Sequence, residues 1–133
     1  MSEKKAYRAA IPSDMTQVEG VCLAARDLLE ANGLTDRVFA VDLLLREFVN
    51  NAILHGNHSD ASKFVQVEVR IGWKVIALSV ADEGQGFDWR SRQCRISGST
   101  DTSGRGLEIG RLYANRIRFN RAGNRVILVV GKT

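Results

Sequence analysis

The most regular pattern in the chain is an alternation between residues 65 and 71, where valine or isoleucine occupies every second position and polar residues lie between them. A period of two is typical of a strand with one buried face. The turn-like Gly72-Trp73-Lys74 follows, and then a mainly apolar run from Val75 to Val80. Together these segments predict a β-hairpin.

Two earlier stretches instead have the three- to four-residue apolar spacing of helices. The first follows Ser13 or Asp14, either of which can cap a helix, and it stops at Asn32-Gly33, a common helix end. The second is predicted to cover about 35–56, with a core-facing stripe. That stripe consists of Val38, Val41, Leu45, Phe48 and Ala52.

Shorter segments complete the predicted fold. Residues 7–11 alternate loosely and predict an opening strand, while 117–119 and 126–130 predict a closing hairpin. Residues 107–113 predict a third helix, which Gly110 weakens. The order strand, two helices, two strands, helix, two strands predicts one sheet with helices packed on it.

Length and composition limit the class of protein. With 133 residues, 44% hydrophobic and 26% charged, the chain fits a single soluble domain over 1–133. No apolar run approaches the roughly 20 residues of a membrane helix, and the N-terminus lacks the apolar core of a signal peptide. We therefore expect a cytoplasmic protein without a membrane partner. Cys22 in a helical pattern and Cys94 in a polar stretch suggest neither a disulfide framework nor a zinc site.

The net charge of +4 is unevenly distributed. Arginines are concentrated between residues 90 and 125, where only Asp101 and Glu108 offset them, and this half of the molecule should attract anions. A solvated basic face, a phosphate ligand and an acidic protein partner all fit this pattern. A nucleic-acid binder fits less well, because aromatic residues are sparse among the arginines and no nucleic-acid motif is present.

The second predicted helix carries a line of polar residues along the edge of its apolar stripe. Glu47 and Asn51 are four residues apart, about 40° around the helix axis, and His55 continues the line. Asn51 offers an oxygen to Mg²⁺, and Glu47 can orient or deprotonate an attacking hydroxyl. Taken alone, such a pair more often marks an exposed helix face.

Two glycine-containing segments could border the same cleft. Asp82 follows an apolar strand and could accept a hydrogen bond from an exocyclic amine, while Gly84 and Gly86 let the backbone approach a flat ring. Gly104-Arg105-Gly106-Leu107 precedes the third predicted helix, where backbone N–H groups would face an anion. Each segment alone equally fits an ordinary turn.

Together and in this order, the three segments resemble the motifs of the GHKL superfamily, the Bergerat-fold ATPases and kinases shared by gyrase, Hsp90, histidine kinases and MutL. Glu47 to Ala52 with His55-Gly56 is similar to the N box, Asp82 to Phe87 to the first glycine box, and Gly104 to Leu107 to the second. The resemblance covers nearly the whole chain. It implies an α+β fold: a two-layer sandwich with a mixed, mostly antiparallel sheet and three helices on one face.

The resemblance also implies residue roles and cofactors, ATP and Mg²⁺. Glu47 would be the general base, Asn51 would bind Mg²⁺, and Asp82 would contact the adenine amino group. The nucleotide-binding residues implied in this way are Asn51, His55, Asp82, Gly84, Gly86, Gly104, Arg105, Gly106, Leu107 and Asn124. Asn124 departs from the family pattern, since many relatives have Gly-Thr where this chain has Gly123-Asn124.

Within the superfamily, the chain is most similar to the short anti-sigma-factor serine/threonine kinases, because no phosphoacceptor helix pair precedes the N box and no transducer domain follows. This similarity implies transfer of the ATP γ-phosphate to a Ser or Thr of a STAS-domain anti-anti-sigma partner. It also implies binding of a sigma factor and a homodimer, with no direct nucleic-acid contact. The alternative is a binding module whose regulatory surface is set by nucleotide without productive transfer.

Overall fold

The computed structural model describes residues 4–86 and 102–133, with side chains described for 4–86 and 108–133. The described residues form five strands and three α-helices. In chain order they are β1 (Ala6–Pro12), α1 (Val18–Ala31), α2 (Val38–Asn51), β2 (Phe64–Ile71), β3 (Val75–Ala81), α3 (Thr102–Tyr113), β4 (Arg116–Phe119) and β5 (Arg125–Gly131).

The sheet has the strand order β1-β2-β3-β5-β4. Each of these pairings is antiparallel, so the described sheet is antiparallel throughout, where the resemblance implied a mixed one. The α+β sandwich itself is confirmed. This order places the end of β3 beside the start of β5, because Ala81 pairs with Arg125.

The period of two in β2 determines which face of the sheet is buried. Val65, Val67, Val69 and Ile71 are all in the core, while Gln66 is exposed on the other face. Burial of one such aliphatic side chain contributes about 1.5–3 kcal/mol, so a register slip of one residue would be costly. In the described part of the chain, the helices pack on this apolar face.

The predicted C-terminal end of the first helix is confirmed, whereas the predicted cap residue Asp14 begins a separate 3₁₀ turn before α1. Asp14 accepts a hydrogen bond from the backbone N–H of Thr16 at 2.9 Å and begins a short 3₁₀ turn, Met15–Gln17, before α1. After Ala31 the chain turns through Gly33, whose φ of 72° is favoured by glycine. Asp14 therefore caps the 3₁₀ turn that leads into α1, whose own N-cap residue, Gln17, makes no side-chain capping bond, and Gly33 follows the C-terminal end.

The third helix begins earlier than the sequence predicts. It starts at Thr102, so Gly104-Arg105-Gly106 lies within its first turns rather than before it. Glycine costs only about 1 kcal/mol in a helix relative to alanine, and packing against α2 offsets this. At the buried Gly110, a Cβ would lie 2.5 Å from Ile117 Cδ1 and 3.4 Å from Phe48 Cζ, so glycine permits the close approach of α3.

The face of the sheet opposite the helices is basic. Glu68 on β2 forms ion pairs with both Arg8 and Arg70. On β4 and β5 the exposed arginines are Arg116, Arg118 and Arg125. The described part of the predicted arginine-rich half therefore contributes to this exposed basic face.

Two further expectations concern the helices and the cysteines. No described helix is long and apolar enough to span a bilayer. Cys22 is buried, as predicted, and burial is the main cause that raises the pKa of its thiol to about 11. Cys94 and Phe87 lie outside the described residues.

Candidate functional site

A pocket with about 680 Å³ of empty volume, partly open to solvent, lies between the end of α2, the end of β3 and the β4–β5 hairpin. Its walls are mainly apolar, with a few amide, imidazole, carboxylate and guanidinium groups. The lining residues are Phe48, Asn51, Ala52, His55, Gly56, Val80, Asp82, Gly86, Phe119, Gly123, Asn124, Arg125 and Val126. Apolar walls with few polar groups are typical of a small-molecule site.

A π-helical turn, Ala52–Gly56, shapes one wall of the pocket. The sequence predicted a continuous helix to Gly56, but the α-helix ends at Asn51, and the N–H of Asn57 donates to the carbonyl of Ala52 at 2.8 Å. The wider turn brings Gly56 against Asp82, where a Cβ would lie 2.3 Å from the carboxyl carbon. Such π turns are frequent at functional sites.

Asp82 is held where β3 ends. Its Oδ1 accepts a hydrogen bond from the Gly84 N–H at 2.7 Å, and its own N–H donates to the Asn124 carbonyl at 2.9 Å. Burial raises the pKa of this carboxyl above its usual range, against the lowering effects of the Gly84 hydrogen bond and of His58. The fold therefore keeps a partly desolvated carboxylate at the pocket.

The raised pKa of Asp82 predicts that the folded protein becomes more stable when this carboxyl group is replaced by an uncharged amide. Below about pH 3.8 both the folded and unfolded states hold the proton, and as pH rises through the higher folded pKa the folded state loses stability relative to the unfolded state. We expect Asp82→Asn to raise the free energy of unfolding at pH 7, with the gain shrinking toward pH 3.5. Denaturant titrations across this range measure it.

Asp60→Asn is the matched control, because hydrogen bonds from Ser62 lower the pKa of Asp60. Its stability change at pH 7 should have the opposite sign. A destabilised Asp82→Asn at neutral pH would contradict the expected cost of this buried charge.

Two glycines make the loop after Asp82 fit closely against its neighbours. A Cβ on Gly84 would lie 2.2 Å from the Gly56 carbonyl oxygen. On Gly86, whose φ is 88°, a Cβ would lie 1.7 Å from the Ala122 carbonyl oxygen. The absence of side chains at these two positions therefore lets the loop lie directly against the backbone of Gly56 and of the β4–β5 hairpin.

Asn57, which sequence reasoning missed, holds this loop through a hydrogen bond to the backbone of Glu83. It is fully buried, its Nδ2 donates to Ser13 Oγ at 2.9 Å and to the Phe64 carbonyl at 3.1 Å, and its Oδ1 accepts from the Glu83 N–H at 2.8 Å. A buried amide with all these bonds is costly to replace. Only its position one residue after His55-Gly56 pointed to it.

The structure brings together only some of the residues predicted for the site. Asn51, His55, Asp82, Gly86 and Asn124 line the pocket, and Asn51 does so where its neighbour Asn50 does not. Gly84 packs behind Asp82. Glu47 lies one turn before Asn51 on α2 and is not among the lining residues. Gly104, Arg105, Gly106 and Leu107 belong to α3, and their side chains lie outside the described residues.

The apolar walls were assigned by sequence to the core or to strands. Phe48 and Ala52 belong to the predicted apolar stripe, and Val80, Phe119 and Val126 face the same layer at the ends of their strands. Their periodicity is the same as that of any core residue. Only the positions of Phe119 and Val126 beside the Gly123-Asn124 turn distinguish them in the sequence.

Comparison with known proteins identifies this arrangement. A family model for the histidine kinase-like ATPase domain matches residues 11–130. The chain belongs to this family. The histidine kinase-like ATPase domain is an ATP-binding module of the GHKL superfamily. A search of curated protein sequences finds no match.

A solved structure supports the fold of this histidine kinase-like ATPase domain. The histidine kinase domain from Erythrobacter litoralis EL346 blue-light activated histidine kinase matches it with a TM-score of 0.52 at 17% sequence identity. The match covers 91% of this chain and 60% of that chain, so the present chain corresponds to only part of that domain. At this identity the likeness shows the fold.

The residues present fit ATP. The Asp82 carboxylate can accept a hydrogen bond from an amino group, and Phe48 and Phe119 offer apolar surface to a base. The loop containing Gly84 and Gly86 lies directly against neighbouring backbone at the edge of the pocket. Asn51 adds an amide oxygen of the kind that Mg²⁺ accepts as a ligand. The family and the geometry therefore agree on a nucleotide pocket.

Proposed function

We propose that this protein is an anti-sigma-factor-type serine/threonine kinase, which transfers the ATP γ-phosphate to a Ser or Thr of a STAS-domain anti-anti-sigma partner. The observation that carries the proposal is the position of Asn51 in the pocket lining, with Glu47 four residues before it on the same helix, α2. In the proposal Glu47 acts on the partner's hydroxyl and takes no part in holding the base.

In this proposal the residues have separate roles. Asp82 binds the adenine amino group, and Gly84 and Gly86 let the base approach the backbone. Asn51 would hold Mg²⁺, which would neutralise charge on the phosphates. Glu47 accepts the proton of the partner's hydroxyl as its oxygen bonds to the γ-phosphorus and the bond to ADP breaks. Catalysis of this type is mainly positioning and charge neutralisation.

The regulatory part of the proposal concerns partners. The protein would act as a homodimer in the cytoplasm and would bind a sigma factor directly. By phosphorylating the anti-anti-sigma protein, it would keep that protein from competing with the sigma factor. The exposed basic face supplies charge that favours an acidic protein partner. These partner assignments follow from the resemblance of the sequence motifs.

A second candidate function is a regulatory binding module gated by nucleotide, without productive transfer. The observation that favours it is the position of Glu47 outside the pocket lining. Both functions need ATP binding. They differ in whether the terminal phosphate moves to a partner.

The test is transfer of labelled terminal phosphate from Mg-ATP to candidate STAS-domain proteins, followed by acid treatment of the product. The kinase proposal expects label on the STAS protein that survives acid, as phosphoserine and phosphothreonine do. Acid-labile label on the chain itself would instead indicate histidine chemistry. No transfer, with ATP still raising the melting temperature, would favour the nucleotide-gated module.

A further inference from the structure

The turn between β4 and β5 is organised by one side chain, Asn120. Its Oδ1 accepts hydrogen bonds from three consecutive backbone N–H groups, those of Gly123 at 2.8 Å, Asn124 at 3.0 Å and Arg125 at 3.1 Å. Since an amide NH₂ group cannot accept from any of these donors, the turn itself determines which end of the Asn120 amide points inward. Its Nδ2 must then face away from them.

This fixed orientation extends to Asn124. The Nδ2 of Asn120 donates to Asn124 Oδ1 at 2.7 Å, and the Nδ2 of Asn124 donates to the Gly84 carbonyl at 3.1 Å. A flipped Asn124 amide would set two NH₂ groups against each other and two oxygens against each other. The backbone of one hairpin therefore fixes which end of the Asn124 amide reaches the glycine loop.

The consequence lies at the base end of the pocket. Asn124 lines that pocket together with Asp82, and the two residues are joined by the backbone bond from Asp82 N to Asn124 O at 2.9 Å. Asp82 supplies an acceptor, and the second hydrogen on Asn124 Nδ2 is a further donor. On the Watson–Crick edge of adenine the N6 amino group donates and N1 accepts, so the two positions require an acceptor and a donor from the protein. On the same edge of guanine O6 accepts and N1–H donates, which is the reverse.

We propose that Asn120 is a positioning residue: by holding the Asn124 amide in one orientation, it ties the hairpin to the glycine loop and makes the pocket select adenine over guanine. This inference rests on the proposed ATP binding. It assigns a function to a residue that is bonded to the lining residues Gly123, Asn124 and Arg125 but is not itself among the described lining residues.

Asn120→Asp separates this role from a structural one. The carboxylate still accepts all three backbone N–H bonds, so the turn is preserved. It no longer donates to Asn124 Oδ1, and the two oxygens repel. Asn115→Asp is the matched control, because Asn115 Oδ1 also accepts a β5 backbone bond, from Gly131 at 2.9 Å, but away from the pocket.

The measurements are the melting temperature without nucleotide and the dissociation constants for ATP and GTP. We expect Asn120→Asp to melt within a few degrees of wild type, to bind ATP about tenfold more weakly and to lose most of its preference over GTP. Asn115→Asp should bind both nucleotides like wild type. Asn120→Ala should lower the melting temperature as well as ATP affinity.

Asn124→Ala gives an independent measurement, because it leaves the Asn120 bonds to the backbone intact. It should show the same loss of ATP preference. Wild-type affinity and selectivity in both Asn120→Asp and Asn124→Ala would overturn the inference while leaving ATP binding in place. Failure of the wild-type protein to bind ATP would overturn the proposed function, and the inference with it.

Discussion

Replacing Glu47 by glutamine is expected to lower the rate of phosphoryl transfer by roughly 10²–10⁴-fold, the usual contribution of a general base. Glutamine has the same shape but cannot accept the hydroxyl proton. ATP affinity should stay near that of wild type, because Glu47 is outside the pocket lining. Single-turnover transfer to the STAS-domain partner, with ATP binding measured separately, checks both parts.

Glu30→Gln serves as the control, since Glu30 is an exposed glutamate on α1. Its transfer rate should equal that of wild type. An unchanged rate in Glu47→Gln would remove the general-base assignment. Weakened ATP binding at an equal transfer rate would instead make Glu47 a nucleotide-binding residue.

Replacing Gly86 by alanine is expected to cost roughly 2–4 kcal/mol of folding free energy and to weaken ATP binding strongly. Two causes act together: a φ of 88°, and a Cβ position only 1.7 Å from the Ala122 carbonyl oxygen. The clash is with backbone, so no side-chain rotation relieves it. The loop must move, and the wall of the pocket moves with it.

Gly20→Ala is the matched glycine control, because a Cβ at this position in α1 has no atom within 4 Å. Alanine there should raise stability by up to about 1 kcal/mol. Denaturant unfolding and ATP titration of both variants give the comparison. A Gly86→Ala protein with wild-type stability and ATP affinity would show that the loop does not need its close contact with the hairpin.

Local patterns were sufficient for most of the fold. The alternation in β2, the stop at Asn32-Gly33 and the turn at Gly72-Trp73-Lys74 each depend on a few neighbouring residues, and each predicted its element correctly. The start of α3 was wrong, because glycine lowers local helix propensity while packing on α2 does not show in the nearby sequence. Tertiary contacts decided that boundary.

The site shows the same division. Asn51 and Asp82 were found because their spacing and position at an element end have direct chemical meaning. The π turn at Ala52–Gly56 was missed, since a change in helical hydrogen-bond register leaves no composition pattern. Asn57 and Asn120 were missed because their partners are backbone groups, brought to them by the folded chain.

Phe48 has an unusual consequence for how this protein can change. One edge of its ring lies near Gly110, where the absence of a side chain lets α3 pack closely. The same Phe48 side chain lines the nucleotide pocket. A substitution at Phe48 therefore alters helix docking and ligand affinity in the same step. Evolution and engineering alike can tune these two properties separately only at other positions, so Phe48 is a pleiotropic position in this fold.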